Sequence, residues 1–182
     1  MGTEDSVLHY PSLLLISGSG RDVGKTLLAC RIIRHLARRG PVAGIKISLH
    51  HHAPSSRGRV IASGRGYLIV REEEASEKDS GRMVAAGADP VFFVTAGDEA
   101  LREVFRRLQP LLGDRPVVCE AGGLRHYIKP GLFLFVRDEK AVPPEKSQLL
   151  QYHPVVVRRA GDRFDLPVEK ITWREGKILY GQ

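Results

Sequence analysis

A chain of 182 residues is long enough to bury a sizeable core, and its 42% hydrophobic and 27% charged content are those of an ordinary water-soluble globular protein. No apolar run approaches the roughly 20 residues of a membrane span, and the opening MGTEDSVLHYP carries no basic-then-apolar leader, so a cytoplasmic protein without membrane association is expected. The net charge of +7 suits an anionic ligand, but the 28 basic residues are spread along the chain without zinc-finger or basic-aromatic patterns, which argues against a nucleic-acid partner.

The first predicted element is an apolar strand, Leu13 to Ile16, that runs into the glycine-rich turn GSGRDVGKT. Residues Gly18, Ser19, Gly20, Arg21, Asp22, Val23, Gly24, Lys25 and Thr26 read as a phosphate-binding loop. Glycines let consecutive N–H groups converge on phosphate oxygens, Lys25 adds a point charge, and the Thr26 hydroxyl is suited to Mg²⁺. The usual spacing places a glycine at position 19, where this chain has Ser19; its glycines stand at 18 and 20, five residues separating Gly18 from Gly24. A strand before and a helix after supply the context such a loop needs, and the helix N-terminus favours the same anion. The chain is therefore expected to bind a nucleoside di- or triphosphate with Mg²⁺, GTP or ATP.

The following helix, about Lys25 to Arg39, places Leu28, Ile32 and Leu36 on one face and Arg31, Arg34 and Arg38 on the other, and it stops at Gly40-Pro41. A strand over Val42 to Leu49 completes a parallel crossover unit. Arg59 to Ser63 and Tyr67 to Arg71 pair as a hairpin across Gly64-Arg65-Gly66. After a polar stretch come a short helix (Ser80 to Ala86), a strand (Val91 to Thr95), a helix (Asp98 to Leu112) and the strand Val117-Val118-Cys119, which ends on Glu120. Further strands are predicted at Leu132 to Val136 and Val155 to Val157, with a short helix over Glu145 to Leu150 between them. From about residue 160 to 182 a small β-rich extension turns at Arg174 to Lys177. Near-continuous apolar strands alternating with amphipathic helices predict one α/β domain over 1–182, a three-layer α/β/α P-loop fold with a mainly parallel sheet.

In such sheets ligands sit beyond the carboxyl ends of the strands. Glu120 ends one strand, placed like an acid that holds Mg²⁺ beside a phosphate loop; the bland alternative is a solvated strand-end glutamate. Lys46, which ends another strand, is a candidate for the outer phosphate or a substrate, or an exposed strand-end lysine. Asp79 is a candidate for a second Mg²⁺ contact or for orienting water, and Ser80 for the ligand site or merely a helix N-cap. His50 and His52 share one face of an extended chain, which invites a zinc or nickel reading, although one run supplies too few ligands for a closed site. Cys30 and Cys119 read as buried free thiols. Asn-Lys-x-Asp is absent; Asp138 is a candidate for reading a guanine base.

Three stretches, GSGRDVGKTLL, GIKISLHHH and EKDSGRMVAAGADPVFFV, together resemble the molybdopterin-guanine dinucleotide biosynthesis protein B (MobB) family, P-loop adaptors of the dimer-forming class that includes signal-recognition and nickel-insertion GTPases. The chain differs in its later histidines, in an extra hairpin before Lys78, and in VVCEAGG. That last stretch and the five-residue loop spacing are similar to dethiobiotin synthetase. The resemblance implies phosphate and Mg²⁺ contacts at Gly24, Lys25 and Thr26, an acidic Mg²⁺ partner at Glu120, and roles for Asp79 and Ser80. It also implies a homodimer with weak GTP or ATP hydrolysis, working with a molybdopterin-handling partner protein. Lys25, Asp79 and Glu120 are then the catalytic candidates. An ATP-dependent ligase or small-molecule kinase and a nucleotide-gated metallochaperone are the competing expectations.

Overall fold

The N-terminal apolar run folds into an 11-residue strand, β1 (Leu8–Gly18), in a computed structural model that describes residues 7–49 and 58–181. The strand begins five residues before the apolar run. Pro11 interrupts its pattern there, and the register against β7 (Ile128–Arg137) shifts between Tyr10 and Leu14. Gly131 meets this irregularity: a Cβ on it would lie 2.0 Å from the Pro11 carbonyl oxygen, so the close backbone approach needs glycine.

Helix α1 (Lys25–Ala37) follows, two residues shorter than predicted, then β2 (Ala43–Ser48). The predicted hairpin forms β3 (Arg59–Gly64) and β4 (Tyr67–Glu72), antiparallel, turning at Gly66 with φ 78°. Next come α2 (Asp79–Ala85), β5 (Val91–Ala96), α3 (Leu101–Leu112) and β6 (Val117–Glu120). The stretch predicted as one helix over 145–150 is a single α-turn, α4 (Pro144–Ser147), continued by a 3₁₀ segment over Gln148–Tyr152. Strands β8 (Val155–Ala160) and β9 (Arg163–Phe164) precede the C-terminal hairpin of β10 (Ile171–Arg174) and β11 (Lys177–Tyr180). Glu175 and Gly176, at φ 50° and 74°, form its two-residue turn.

The architecture is α/β: a mixed nine-stranded sheet in the order β3-β4-β5-β2-β6-β1-β7-β8-β9, with the two-stranded β10-β11 sheet beside it. The six central strands, β5 to β8 in that order, are parallel; towards the two ends of the sheet β4 pairs antiparallel with both β5 and β3, and β9 pairs antiparallel with β8. Alternation along β1 assigns the two faces. Leu13 and Leu15 join the α3 residues Leu101, Val104, Phe105, Leu108 and Leu112 in one cluster. Leu14 and Ile16 join Leu28, Ile32, Ile33 and Leu36 of α1, Met83 of α2, and Ile171 and Ile178 of the C-terminal hairpin in the other. Among the described residues no helix is long and apolar enough to cross a membrane.

One topological detail positions the site. β6 lies between β1 and β2, so Ile16, Glu120 and Lys46 stand in one row across three strands. Paired residues of neighbouring strands share a face. Glu120 and Lys46 therefore point to the side that carries α1 and α2.

Candidate functional site

The loop over 18–26 leaves the carboxyl end of β1 beside β7, where the Ser19 N–H donates to the Val136 carbonyl at 2.9 Å. Two left-handed residues, Asp22 at φ 57° and Gly24 at φ 98°, flank the buried Val23 and reverse the chain into α1. Among the described residues, no backbone acceptor takes the N–H groups of residues 20–24, and α1 has no side-chain N-cap. A turn of this kind gathers free donors at a helix N-terminus, the arrangement that suits an anion. Gly24 has no alternative: besides its positive φ, a Cβ there would lie 2.7 Å from Arg159 Cδ.

Lys25 folds back and donates from Nζ to the Gly20 carbonyl. Burial pulls its ammonium below the ordinary lysine value; Glu120 opposes that shift and Lys46 adds to it. The Thr26 hydroxyl, one residue on, donates to Glu120 Oε2 at 2.7 Å. Glu120 is 2% exposed and its other oxygen accepts from Lys46 Nζ at 2.5 Å. Lys46 also lies 2.8 Å from Asp79 Oδ2. Lys46 thus bridges two carboxylates, one from β6 and one from the first turn of α2. Burial by itself lowers its pKa, but the charges and hydrogen bonds of Glu120 and Asp79 outweigh it and hold the ammonium above the ordinary lysine value. Burial raises Asp79, yet the Lys46 hydrogen bond and charge, with the charge of Arg82, bring its carboxyl below the usual range.

These residues line an open cleft of about 1040 Å³ at the carboxyl ends of the strands. Of the predicted loop, Arg21, Asp22, Gly24, Lys25 and Thr26 line it, and so do Lys46, Asp79, Ser80 and Glu120. Gly18, Ser19, Gly20 and Val23 do not: Ser19 is buried, Val23 packs in the core under the loop, and Gly18 is pressed against β7, where a Cβ would lie 2.6 Å from the Val136 oxygen. Lys46 sits two residues inside β2 with its side chain 16% exposed, which excludes the exposed strand-end reading. Ser80 is not an N-cap. Lys78 holds that position, and the Ser80 hydroxyl donates to Glu72 Oε1 at 2.7 Å, both residues being buried.

Two contributors escape sequence reasoning. Glu72, 6% exposed at the end of β4, reads in sequence as the start of a solvated acidic run. Arg159, from β8, reaches across to the loop: Nη1 donates to the Asp22 carbonyl at 2.8 Å and Nε to the Gly161 carbonyl at 2.6 Å. No local pattern announces it, because the contact spans 137 residues. Asp138 is used elsewhere; its carboxylate accepts the Lys140 N–H in the turn after β7, and it does not line the cleft. Cys30 and Cys119 are buried free thiols, and burial raises the pKa of each. His50, His51 and His52 lie outside the described residues, and among those described no group of three His, Cys, Asp or Glu residues gathers.

The donor set can be tested against Mg²⁺. The ion takes oxygen ligands at 2.0–2.1 Å in an octahedron, which puts neighbouring oxygens about 2.9 Å apart. Thr26 Oγ1 and Glu120 Oε2, at 2.7 Å, are a hard-oxygen pair of nearly that spacing beside the loop, and Asp79 supplies a further oxygen across Lys46. The residue types and the Thr26–Glu120 spacing fit. In comparisons with known proteins, no family model matches the chain and no curated protein matches it.

Proposed function

We propose that the protein binds a Mg²⁺-complexed nucleoside triphosphate, GTP or ATP, in a P-loop, hydrolyses it slowly, and serves as a MobB-like adaptor in molybdenum-cofactor (molybdopterin guanine dinucleotide) biosynthesis. The observation that carries the nucleotide reading is the convergence of Thr26, Glu120 and Lys46 beside a turn whose N–H groups lack backbone acceptors. The loop amides and the α1 N-terminus take the phosphate oxygens, and Lys25, already over the loop, neutralises charge that grows as the terminal phosphate leaves. Thr26 and Glu120 would hold Mg²⁺, which supplies Lewis-acid stabilisation of the same oxygens. Asp79, in the first turn of α2 beside the loop, orients the attacking water. The cleft is open, so turnover is slow until a partner protein or the second copy of a homodimer covers it; light scattering with and without nucleotide tests the dimer.

A second reading, an ATP-dependent dethiobiotin-synthetase-like ligase or a small-molecule kinase, draws on the extent of the cleft. It continues past the loop to Ser48, Lys78, Arg82 and Phe93, room for a small anionic substrate. Calorimetric titration with non-hydrolysable GTP and ATP analogues in Mg²⁺ separates the two. GTP preference supports the adaptor, ATP preference the ligase or kinase, and Lys25→Ala weakens either by more than about tenfold, ~1.4 kcal/mol. Binding of neither nucleotide refutes the reading.

A further inference from the structure

Lys46 is placed unlike a lysine waiting for a ligand. Its ammonium has three donors; one is committed to Glu120 Oε1 at 2.5 Å and another to Asp79 Oδ2 at 2.8 Å. The other oxygen of Glu120 takes the Thr26 hydroxyl at 2.7 Å. One largely buried ammonium thus sits at the meeting point of the oxygen donors suited to a divalent metal, and both strands that bring Lys46 and Glu120 together are central in the sheet.

We propose that Lys46 is a built-in stand-in for the metal, an interlock that holds Glu120 and Asp79 together without ligand and excludes divalent cations until a polyphosphate draws its ammonium away. The inference rests on the Mg²⁺-nucleotide reading above. Two carboxylates and one ammonium leave a single net negative charge, with Lys25 close enough to feel Glu120. A dication arriving alone must break both Lys46 contacts and then share the cleft with two ammonium groups. Arriving with a polyphosphate, it brings the anion that takes Lys46 and Lys25 as partners. Metal and polyphosphate therefore bind with positive coupling, and each raises the other's affinity by the same factor. The benefit is order: the metal is admitted only as part of the complex, and α2, tied to Lys46 through Asp79, is released at that moment.

The test uses Mn²⁺ and no nucleotide. Free Mn²⁺ is followed by electron paramagnetic resonance as the ion is titrated into the wild-type chain, Lys46→Met, Lys46→Arg, and Lys46→Met combined with Glu120→Gln. Wild type and Lys46→Arg, which keeps a cation in place, are expected to bind weakly. Lys46→Met is expected to bind at least about tenfold more tightly and to gain thermal stability from Mn²⁺, and Glu120→Gln is expected to abolish that gain. Mn²⁺ affinity equal in wild type and Lys46→Met, or tighter binding by Lys46→Arg than by wild type, overturns the proposal. Should Lys46→Met fail to fold without metal, rescue of its folding by millimolar Mn²⁺ supports the interlock and failure of rescue refutes it. Because nucleotide is absent, the result is independent of the GTP and ATP titrations, and either reading can fail alone.

Discussion

The two glycines at the start of the loop look alike in sequence but are expected to respond very differently to an added methyl group. At Gly18 a Cβ would lie 2.6 Å from the Val136 carbonyl oxygen, 3.0 Å from Val23 Cγ2 and 3.3 Å from Lys25 Cδ. The first contact is about 0.8 Å short of ordinary van der Waals separation, and its partner is backbone that no rotamer change can move aside. That carbonyl also accepts the Ser19 N–H, so displacing it weakens the bond that ties the loop to β7. Overpacking costs about 1–3 kcal/mol and a partly lost hydrogen bond about 1 kcal/mol; Gly18→Ala is thus expected to lose roughly 3 kcal/mol, a fall of about 6–12 °C in Tm for a chain of this size. At Gly20 the nearest atom to a Cβ is Val23 Cγ1 at 3.9 Å and φ is not positive, so Gly20→Ala should stay within ~0.5 kcal/mol of wild type. Thermal unfolding followed by circular dichroism measures both. A Gly20→Ala protein less stable than Gly18→Ala would refute the assignment of Gly18 as the position where the backbones touch, and with it the loop geometry.

Two further predictions follow from side chains of the cleft. Asp79 has a folded pKa below its unfolded value, so its contribution to stability is present above about pH 4 and is lost as pH falls through the folded value. Lys46, raised in the folded state, contributes below the ordinary lysine pKa and loses that contribution as pH rises through the folded value. The Tm difference between wild type and Asp79→Asn should be flat near neutrality and shrink in acid; a difference that grows below pH 4 contradicts the Lys46–Asp79 contact. Arg159→Ala removes the bonds to Asp22 and Gly161, at an expected cost of about 1–2 kcal/mol, and loosens the loop so that nucleotide affinity falls about tenfold. Unchanged affinity in a calorimetric titration would show that the loop holds its shape without Arg159.

Local chemistry made much of this legible. Leu13 to Ile16, the glycines before Lys25 and the apolar stripe of α1 each act within a few residues, and strand, turn and helix stand where those patterns place them. Gly64-Arg65-Gly66 and Glu175-Gly176 likewise mark their hairpins through turn geometry. Glu120, Lys46 and Asp79 were each visible as candidates, but their shared hydrogen bonds were not. Their meeting depends on β6 lying between β1 and β2, and strand order leaves no trace in a short window. The partner of the Ser80 hydroxyl is hidden for a related reason: Glu72 ends β4, whose burial between β3 and β5 comes from tertiary packing, while the run Glu72-Glu73-Glu74 reads as solvated. Pro11 hid the first five residues of β1, since a proline in a strand argues against one unless an irregularity absorbs it.

The place of β6 also bears on when the cleft comes into being. Its four residues are bonded to β1 on one side and β2 on the other, and the last of them is Glu120. A chain still being synthesised has made β1, the loop, α1 and β2 long before β6 emerges, so Thr26 and Lys46 exist without the carboxylate they share. Any partly folded form in which β1 and β2 have closed on each other must reopen to admit the missing strand. The carboxylate therefore joins Thr26 and Lys46 only when β6 fills the gap between β1 and β2, and a ligand that needs Glu120 can recognise only a chain in which that strand is in place.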